Sequence, residues 1–137
     1  MITLLVIASL IGLVDSIYLA YKKTRPEPLV CPISGGAGCD AIVKSQYGKL
    51  LGLPNEYLGI IFYLINLALV LYTAVAGGAS YQTLIRPLWL IMAAGAAIAS
   101  VALTYIQGVI IKHWCEYCLV ANVMNLIIFI SLIYLKV

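Results

Sequence analysis

Apolar residues run almost unbroken through four stretches of the chain, about residues 2–21, 57–76, 87–111 and 117–135. Each is close to the roughly 20 residues that an α-helix needs to cross the apolar part of a bilayer. The third and fourth contain no charged residue. Polar positions collect instead in one long stretch, residues 22–56, which holds four of the five prolines (Pro26, Pro28, Pro32, Pro54) and the glycine cluster SGGAG at 34–38. That composition predicts irregular chain. Within it, CDAIVKSQYGKL (39–50) sets Ala41, Ile42 and Tyr47 beside Asp40, Lys44 and Lys49, the pattern of a short helix lying at the membrane interface. AGGAS (76–80) ends the second apolar stretch, residues 77–85 read as a turn, and Pro87 suits the first turn of the third helix.

The pattern predicts an all-α membrane protein. One domain, residues 1–137, forms a four-transmembrane-helix bundle with a long functional loop, 22–56, between the first two helices. The first run, Ile2–Tyr21, has no basic segment before it and no A-x-A site after it, so it reads as a retained span rather than a cleaved signal. Composition agrees: 64% of residues are hydrophobic and 9% charged, against about 25% charged in soluble domains. A water-facing surface cannot be made from so few charges.

The net charge of +3, from 8 basic and 5 acidic residues, is too small and too dispersed for nucleic acid. Its use is topological. Four crossings return the chain to its starting side, which places loop 22–56 and the connection 112–116 on one face, with all four cysteines. That face carries Lys22, Lys23, Arg25, Lys44, Lys49 and Lys112, whereas the other has only Arg86 and Lys136. The positive-inside rule then predicts a cytoplasmic cysteine face. An oxidising centre there fits cells that keep disulfides inside, as hyperthermophiles do; the extracytoplasmic face is the alternative.

The cysteines form two pairs: Cys31 and Cys39 across the glycine-rich PISGGAG, and Cys115 and Cys118 as a C-x-x-C opening the last helix. Backbone N–H groups at a helix start stabilise a nearby thiolate, and Lys112 and His113 add positive potential just upstream. Cys115, nearer the loop, reads as the exposed nucleophile. Cys118, about one turn further on, looks toward the membrane interior. Such an arrangement suits electron transfer between a protein dithiol and a lipid-soluble acceptor. Two inert disulfides or one Cys₄ zinc site are the bland readings. Structural zinc favours paired short spacings, which C-x₇-C does not match, so no metal is expected.

Other polar residues have weaker signals. Asp15 lies about 9 Å inside the first helix from its Tyr21 end, where an acid is either functional or a helix-packing hydrogen bonder. His113 has no second histidine to join it at a metal and reads as tuning Cys115. Asn66 and Asn125 read as interhelical hydrogen bonders, AAGAAIAS as small residues for close helix packing, and the tyrosines as an interfacial belt.

The chain resembles the vitamin K epoxide reductase family over nearly its whole length. The matching residues are GLVDSIYLAY in the first helix, CDAIVKSQYGKLLGLPNEYLG after the second loop cysteine, and WCEYC. The resemblance implies a relay in which Cys31–Cys39 exchanges with a thioredoxin-like partner. Cys39 then exchanges with Cys115, and Cys118, bonded to Cys115, faces a quinone of ubiquinone or menaquinone type. It further implies that Asn55 hydrogen-bonds a quinone oxygen, that Phe62 and Tyr63 line the quinone pocket, and that Ser45 is the family's loop serine. The animal enzymes carry a tyrosine four residues after the last cysteine, where this chain has Asn122. No fused thioredoxin-like domain is visible, which implies a separate partner. The expected function is quinone-dependent thiol oxidation supporting disulfide formation. Its rivals are a quinone or vitamin K epoxide reductase and a non-catalytic scaffold with structural disulfides.

Overall fold

The computed structural model describes residues 2–23, 49–50, 53–76, 81–112 and 116–134. Four helices dominate: α1 (Ile2–Lys23), α2 (Asn55–Ala76), α3 (Arg86–Tyr105) and α4 (Glu116–Tyr134). Each overlaps almost fully with a segment long and apolar enough to cross a membrane. In a medium without water the backbone must satisfy its own hydrogen bonds, and a helix does so within one segment.

Some boundaries differ from the sequence pattern by a few residues, while others match it. Tyr81–Ile85 forms a π-helical turn that leads directly into α3, so the predicted 77–85 turn is shorter than expected, and Pro87 falls in the first turn of α3. At its other end α3 continues as a second π-helical turn, Ile106–Ile111, which completes the apolar stretch predicted to end at 111. Finally, α2 begins at Asn55 rather than 57. Just before it, β1 (Lys49–Leu50) pairs antiparallel with β2 (Leu53–Pro54), Leu50 opposite Leu53 and Lys49 opposite Pro54. Proline fixes its own φ and biases the preceding residue to extended backbone. Lys49 and Leu50 join that extended segment, so the interfacial helix predicted over 39–50 does not include them; its remaining residues lie outside those described.

α1 packs against α2 and α4, and α4 packs in turn against α3; the register can be read from side-chain pairs. On α1 and α2, Ser9 meets Asn66, Gly12 meets Tyr63 and Ser16 meets Gly59. Each step of three or four residues along α1 is matched by a similar step back along α2. Between α3 and α4, Asn122 Nδ2 donates to Thr104 Oγ1 at 2.9 Å and Asn125 Nδ2 to Ser100 Oγ at 2.8 Å. Tyr18 and Tyr117 bring α1 against the start of α4, with ring centroids 5.1 Å apart.

The polarity of the bundle is inverted relative to a soluble protein. Its interior holds Ser9, Asp15, Ser16, Asn66, Ser100, Gln107, Asn122 and Ser131, while Val14, Leu71, Val75, Ile91 and Ile98 are exposed. Lipid tails accept exposed aliphatic side chains but offer polar groups no partner, so the polar groups turn inward and bond across helices. Asn66 ties three helices together: its amide donates to Ser9 Oγ on α1, and its Oδ1 accepts from Trp89 Nε1 on α3 at 2.6 Å. Asn125 does the same for α2, α3 and α4, accepting from the Tyr63 hydroxyl at 2.6 Å while donating to Ser100. Both asparagines thus fill the interhelical role expected of them. The small residues of AAGAAIAS divide: Ala93, Ala97 and Ser100 are buried, but Gly95 has nothing within 4 Å of where a Cβ would stand. Only one face of that run serves packing.

Two glycines therefore respond oppositely to the same change. A Cβ on Gly12 would lie 2.3 Å from Cζ of Tyr63, a ring held in place by its hydroxyl bonds. Gly12→Ala is expected to destabilise the bundle by about 1–3 kcal/mol, the usual cost of overpacking. Gly95→Ala should stabilise it by about 0.5–1 kcal/mol through helix propensity. Reversible unfolding in mixed micelles measures both; equal effects would contradict the register. In the same assay Asn66→Leu should cost about 1–3 kcal/mol, since it strands the Trp89 N–H in the interior.

Candidate functional site

Cys118 occupies the first turn of α4 and is half-buried. The antiparallel register gathers the polar residues of the other helices at its depth. With Thr104 opposite Asn122, Gln107 of α3 stands near the level of Cys118, and its side chain is buried. Tyr18 of α1 meets Tyr117, the residue before Cys118, and the two side chains are hydrogen-bonded to each other. Asn55 and Glu56 open α2 at the same end of the bundle; Asn55 is half-buried and Glu56 buried. A carboxylate in the first turn of a helix is favoured by the unpaired N–H groups there.

These residues form a polar layer at one end of an apolar bundle. The starts of α2 and α4 both contribute their partial positive charge to it. Deeper in the bundle, the Tyr63 hydroxyl donates to the Ala121 carbonyl at 3.1 Å and to Asn125 Oδ1 at 2.6 Å. Phe62, half-buried, meets the Tyr63 ring edge-on with centroids 5.2 Å apart. Next to the Asn122–Thr104 bond lies an apolar groove of about 490 Å³, lined by Val101, Thr104, Tyr105, Gly108, Val109 and Leu126. Its volume falls in the range of small-molecule sites.

The approach to the cysteine pair is set by Lys112, which ends the π-helical turn. Its N–H bonds the Gln107 carbonyl five residues back, and its φ of 63° is left-handed. That conformation turns the chain sharply just ahead of residues 113–115.

The structure thus sets Cys118, Asp15 and Asn122 of the predicted site at successive depths near the start of α4, with Asn55 at the mouth and Phe62 and Tyr63 below. Cys31, Cys39, Ser45, His113 and Cys115 lie outside the described residues. Sequence reasoning passed over Thr104, Gln107 and the Tyr18–Tyr117 pair. A polar residue in the charge-free third span was the available signal for Gln107. Among the described residues no group of three or more His, Cys, Asp or Glu side chains converges as a metal site.

Fold and site define a four-helix membrane protein with a half-buried cysteine in the first turn of its last helix, at the depth of polar residues from the other helices. The model of the vitamin K epoxide reductase family matches residues 3–133, and the chain belongs to that family of oxidoreductases. A thiol-disulfide oxidoreductase, LTO1, from Arabidopsis thaliana is 33% identical over 51 residues, which is 37% of this chain and 13% of the relative. The chain therefore matches only a small part of that curated relative.

The left-handed backbone at Lys112 gives a direct test of the local geometry. Lys112→Gly should stabilise the protein by about 1 kcal/mol, because an L side chain pays roughly 1–2 kcal/mol in that region. Lys112→Val should destabilise it, and thermal unfolding in micelles distinguishes the two outcomes.

Proposed function

We propose that the chain is a quinone-linked thiol oxidoreductase that reoxidises a separate thioredoxin-like protein and so supports disulfide formation. Electrons run from the partner's dithiol to Cys31/Cys39, from there to Cys115/Cys118, and finally to a quinone. The observation that carries this reading is the position of Cys118, in the first turn of α4 and level with a buried polar layer. Family membership and the likeness to a thiol-disulfide oxidoreductase support it.

Each residue has a role that its chemistry suits. The start of α4 stabilises a thiolate in its first turn, so the C-x-x-C pair exchanges readily with an incoming disulfide or dithiol. Cys115, on the loop side, receives electrons by exchange with Cys39. Cys118, on the membrane side, passes them on. A quinone supplies a sink for two electrons and two protons, so one partner dithiol becomes a disulfide for each quinol formed.

The residues present fit such an acceptor. Asn122 places an amide inside the bundle, and Asp15 has a buried carboxylate oxygen, Oδ2, without a hydrogen-bond partner among the described residues. The apolar groove beside Thr104 is suited to a lipid-like molecule. Asn55 and Asn122 would hold the oxygens of the ring, with Phe62 and Tyr63 as its aromatic surroundings. An amide at 122, bonded to Thr104, replaces the phenol of the animal enzymes and favours quinone over quinone epoxide as substrate. Ser45 and His113 are assigned supporting roles, His113 by raising the positive potential beside Cys115.

The cysteine face is proposed to be cytoplasmic, on the strength of six of the eight basic residues. Membrane-impermeant thiol reagents applied to intact cells and to inverted vesicles test this. Labelling only in inverted vesicles is expected, and labelling of intact cells would reverse the assignment.

With dithiothreitol as donor and a short-chain ubiquinone analogue as acceptor, purified protein should catalyse quinol formation. Cys118→Ala should lower that rate to background while leaving thermal stability within about 1 kcal/mol, since the change is confined to one half-buried side chain. A variant that retains the wild-type rate would falsify the relay.

A further inference from the structure

Asp15 is an acid two turns inside α1, and the relay described above gives it no chemical step. It is 8% exposed, and its Oδ2 is buried with no hydrogen-bond partner among the described residues. Such a group is rare within a membrane span, because an unpartnered charge there is expensive. The next cation along α1, Lys22, is directed elsewhere, with its Nζ 5.8 Å from the centre of the Tyr18 ring.

The register of the bundle fixes the depth of Asp15 from two sides. One turn toward the loop, Tyr18 meets Tyr117. One turn toward the bundle centre, Gly12 lies against the ring of Tyr63, whose hydroxyl reaches Ala121 and Asn125. At 1.5 Å per residue, Asp15 stands level with Val120 of α4, about 3 Å deeper than Cys118 and about 3 Å short of Asn122 along the bundle axis. It therefore sits between the sulfur that gives up electrons and the amide assigned to the acceptor. Among the described residues, the ionisable groups nearest it by register are Tyr63 and, about one turn nearer the loop, buried Glu56 from α2, Tyr117 from α4, and Tyr18 from its own helix. Asp15 is in electrostatic range of both Tyr63 and Tyr117. These neighbours are phenols and a second acid, and none of them is a base that would hold the proton of Asp15 as a fixed ion pair.

We propose that Asp15 is the proton donor for quinone reduction, carrying protons from the Cys115/Cys118 dithiol to the quinone oxygens. The inference rests on the quinone-linked reading and adds the path of the protons to it. In the balanced step two S–H bonds break, one S–S bond forms, and two electrons and two protons pass to the quinone to give quinol. Asp15 gives its proton to a carbonyl oxygen as the electrons arrive, and the thiols return one to it. The unpartnered Oδ2 is the acceptor for that returning proton. An internal donor suits this depth because Asp15 is buried one turn deeper in the bundle than the paired Tyr18 and Tyr117 side chains.

The test separates the two half-reactions. Reduced protein is mixed with a short-chain ubiquinone analogue and quinol formation is followed by stopped flow; oxidised protein is mixed with dithiothreitol and disulfide reduction is followed. In Asp15→Asn, quinol formation should slow about 100-fold or more, the usual contribution of a positioned general acid. Reduction by dithiothreitol and the KM for the analogue should stay within about threefold, as expected where only a proton-transfer role is lost. Asp15→Glu should restore the rate to within about tenfold of wild type if the acid's chemistry is what matters. Independently of activity, infrared spectra of the reduced wild-type protein should contain a protonated carboxylic acid band that Asp15→Asn lacks. A wild-type rate in Asp15→Asn overturns the proposal, as does absence of the band from wild type. Equal slowing of both half-reactions with no rescue by Asp15→Glu also overturns it, in favour of a packing role. If wild-type protein forms no quinol at all, the quinone-linked reading fails first, before any variant is compared.

Discussion

The contact on which most of the bundle depends is that of Tyr63 with its neighbours. The ring lies under Gly12 of α1, at a distance no residue with a Cβ would tolerate. Its hydroxyl donates to Ala121 and Asn125 of α4, and Asn125 in turn donates to Ser100 of α3. One buried side chain on α2 thereby fixes its relation to all three other helices. In an apolar solvent there is little hydrophobic drive to hold helices together, so such bonds and close approaches decide register. Register in turn decides which residues share the depth of Cys118.

That dependence explains why the chain needs so many polar residues inside. Asn66 joins α1, α2 and α3 near the bundle centre, and Asn122 and Asn125 join α4 to its neighbours nearer the cysteine end. Asn66 and Asn125 both donate and accept, which lets one side chain satisfy groups on two helices. Toward the loop face the pattern changes. There Asp15 has an oxygen with no partner among the described residues, and backbone at Lys112 turns left-handed. Departures from full satisfaction are frequent at functional sites, and both Asp15 and Lys112 lie toward the end of the bundle where α4 begins.

Much of this was legible in the sequence. The unbroken apolar runs defined four helices, because length and composition suffice to identify a span, and the family was recognisable from GLVDSIYLAY, NEYLG and WCEYC. Asn66 and Asn125 were legible as interhelical bonders, since an amide in a span has little else to do. Less could be read where the outcome depends on partners distant in sequence. Nothing local marks Gly12, rather than Gly95, as the close-contact glycine; that follows from which helix face meets Tyr63. Nor does local sequence mark the π-helical turns at Tyr81–Ile85 and Ile106–Ile111, whose apolar residues suit an ordinary α-helix equally well. Gln107 and Thr104 acquire meaning only once α3 is aligned with α4. The extended pairing of Lys49–Leu50 with Leu53–Pro54 likewise overrode an amphipathic pattern that ran through residue 50.

The central claim is that the C-x-x-C pair at the start of α4 gives its electrons to a lipid-soluble quinone. Mass-spectrometric thiol mapping of fully reduced, purified protein, before and after one equivalent of a short-chain ubiquinone analogue, tests it most directly. The account predicts that Cys115 and Cys118 become a disulfide while one quinol forms per protein molecule. Thiols that remain reduced in the presence of the quinone would contradict it.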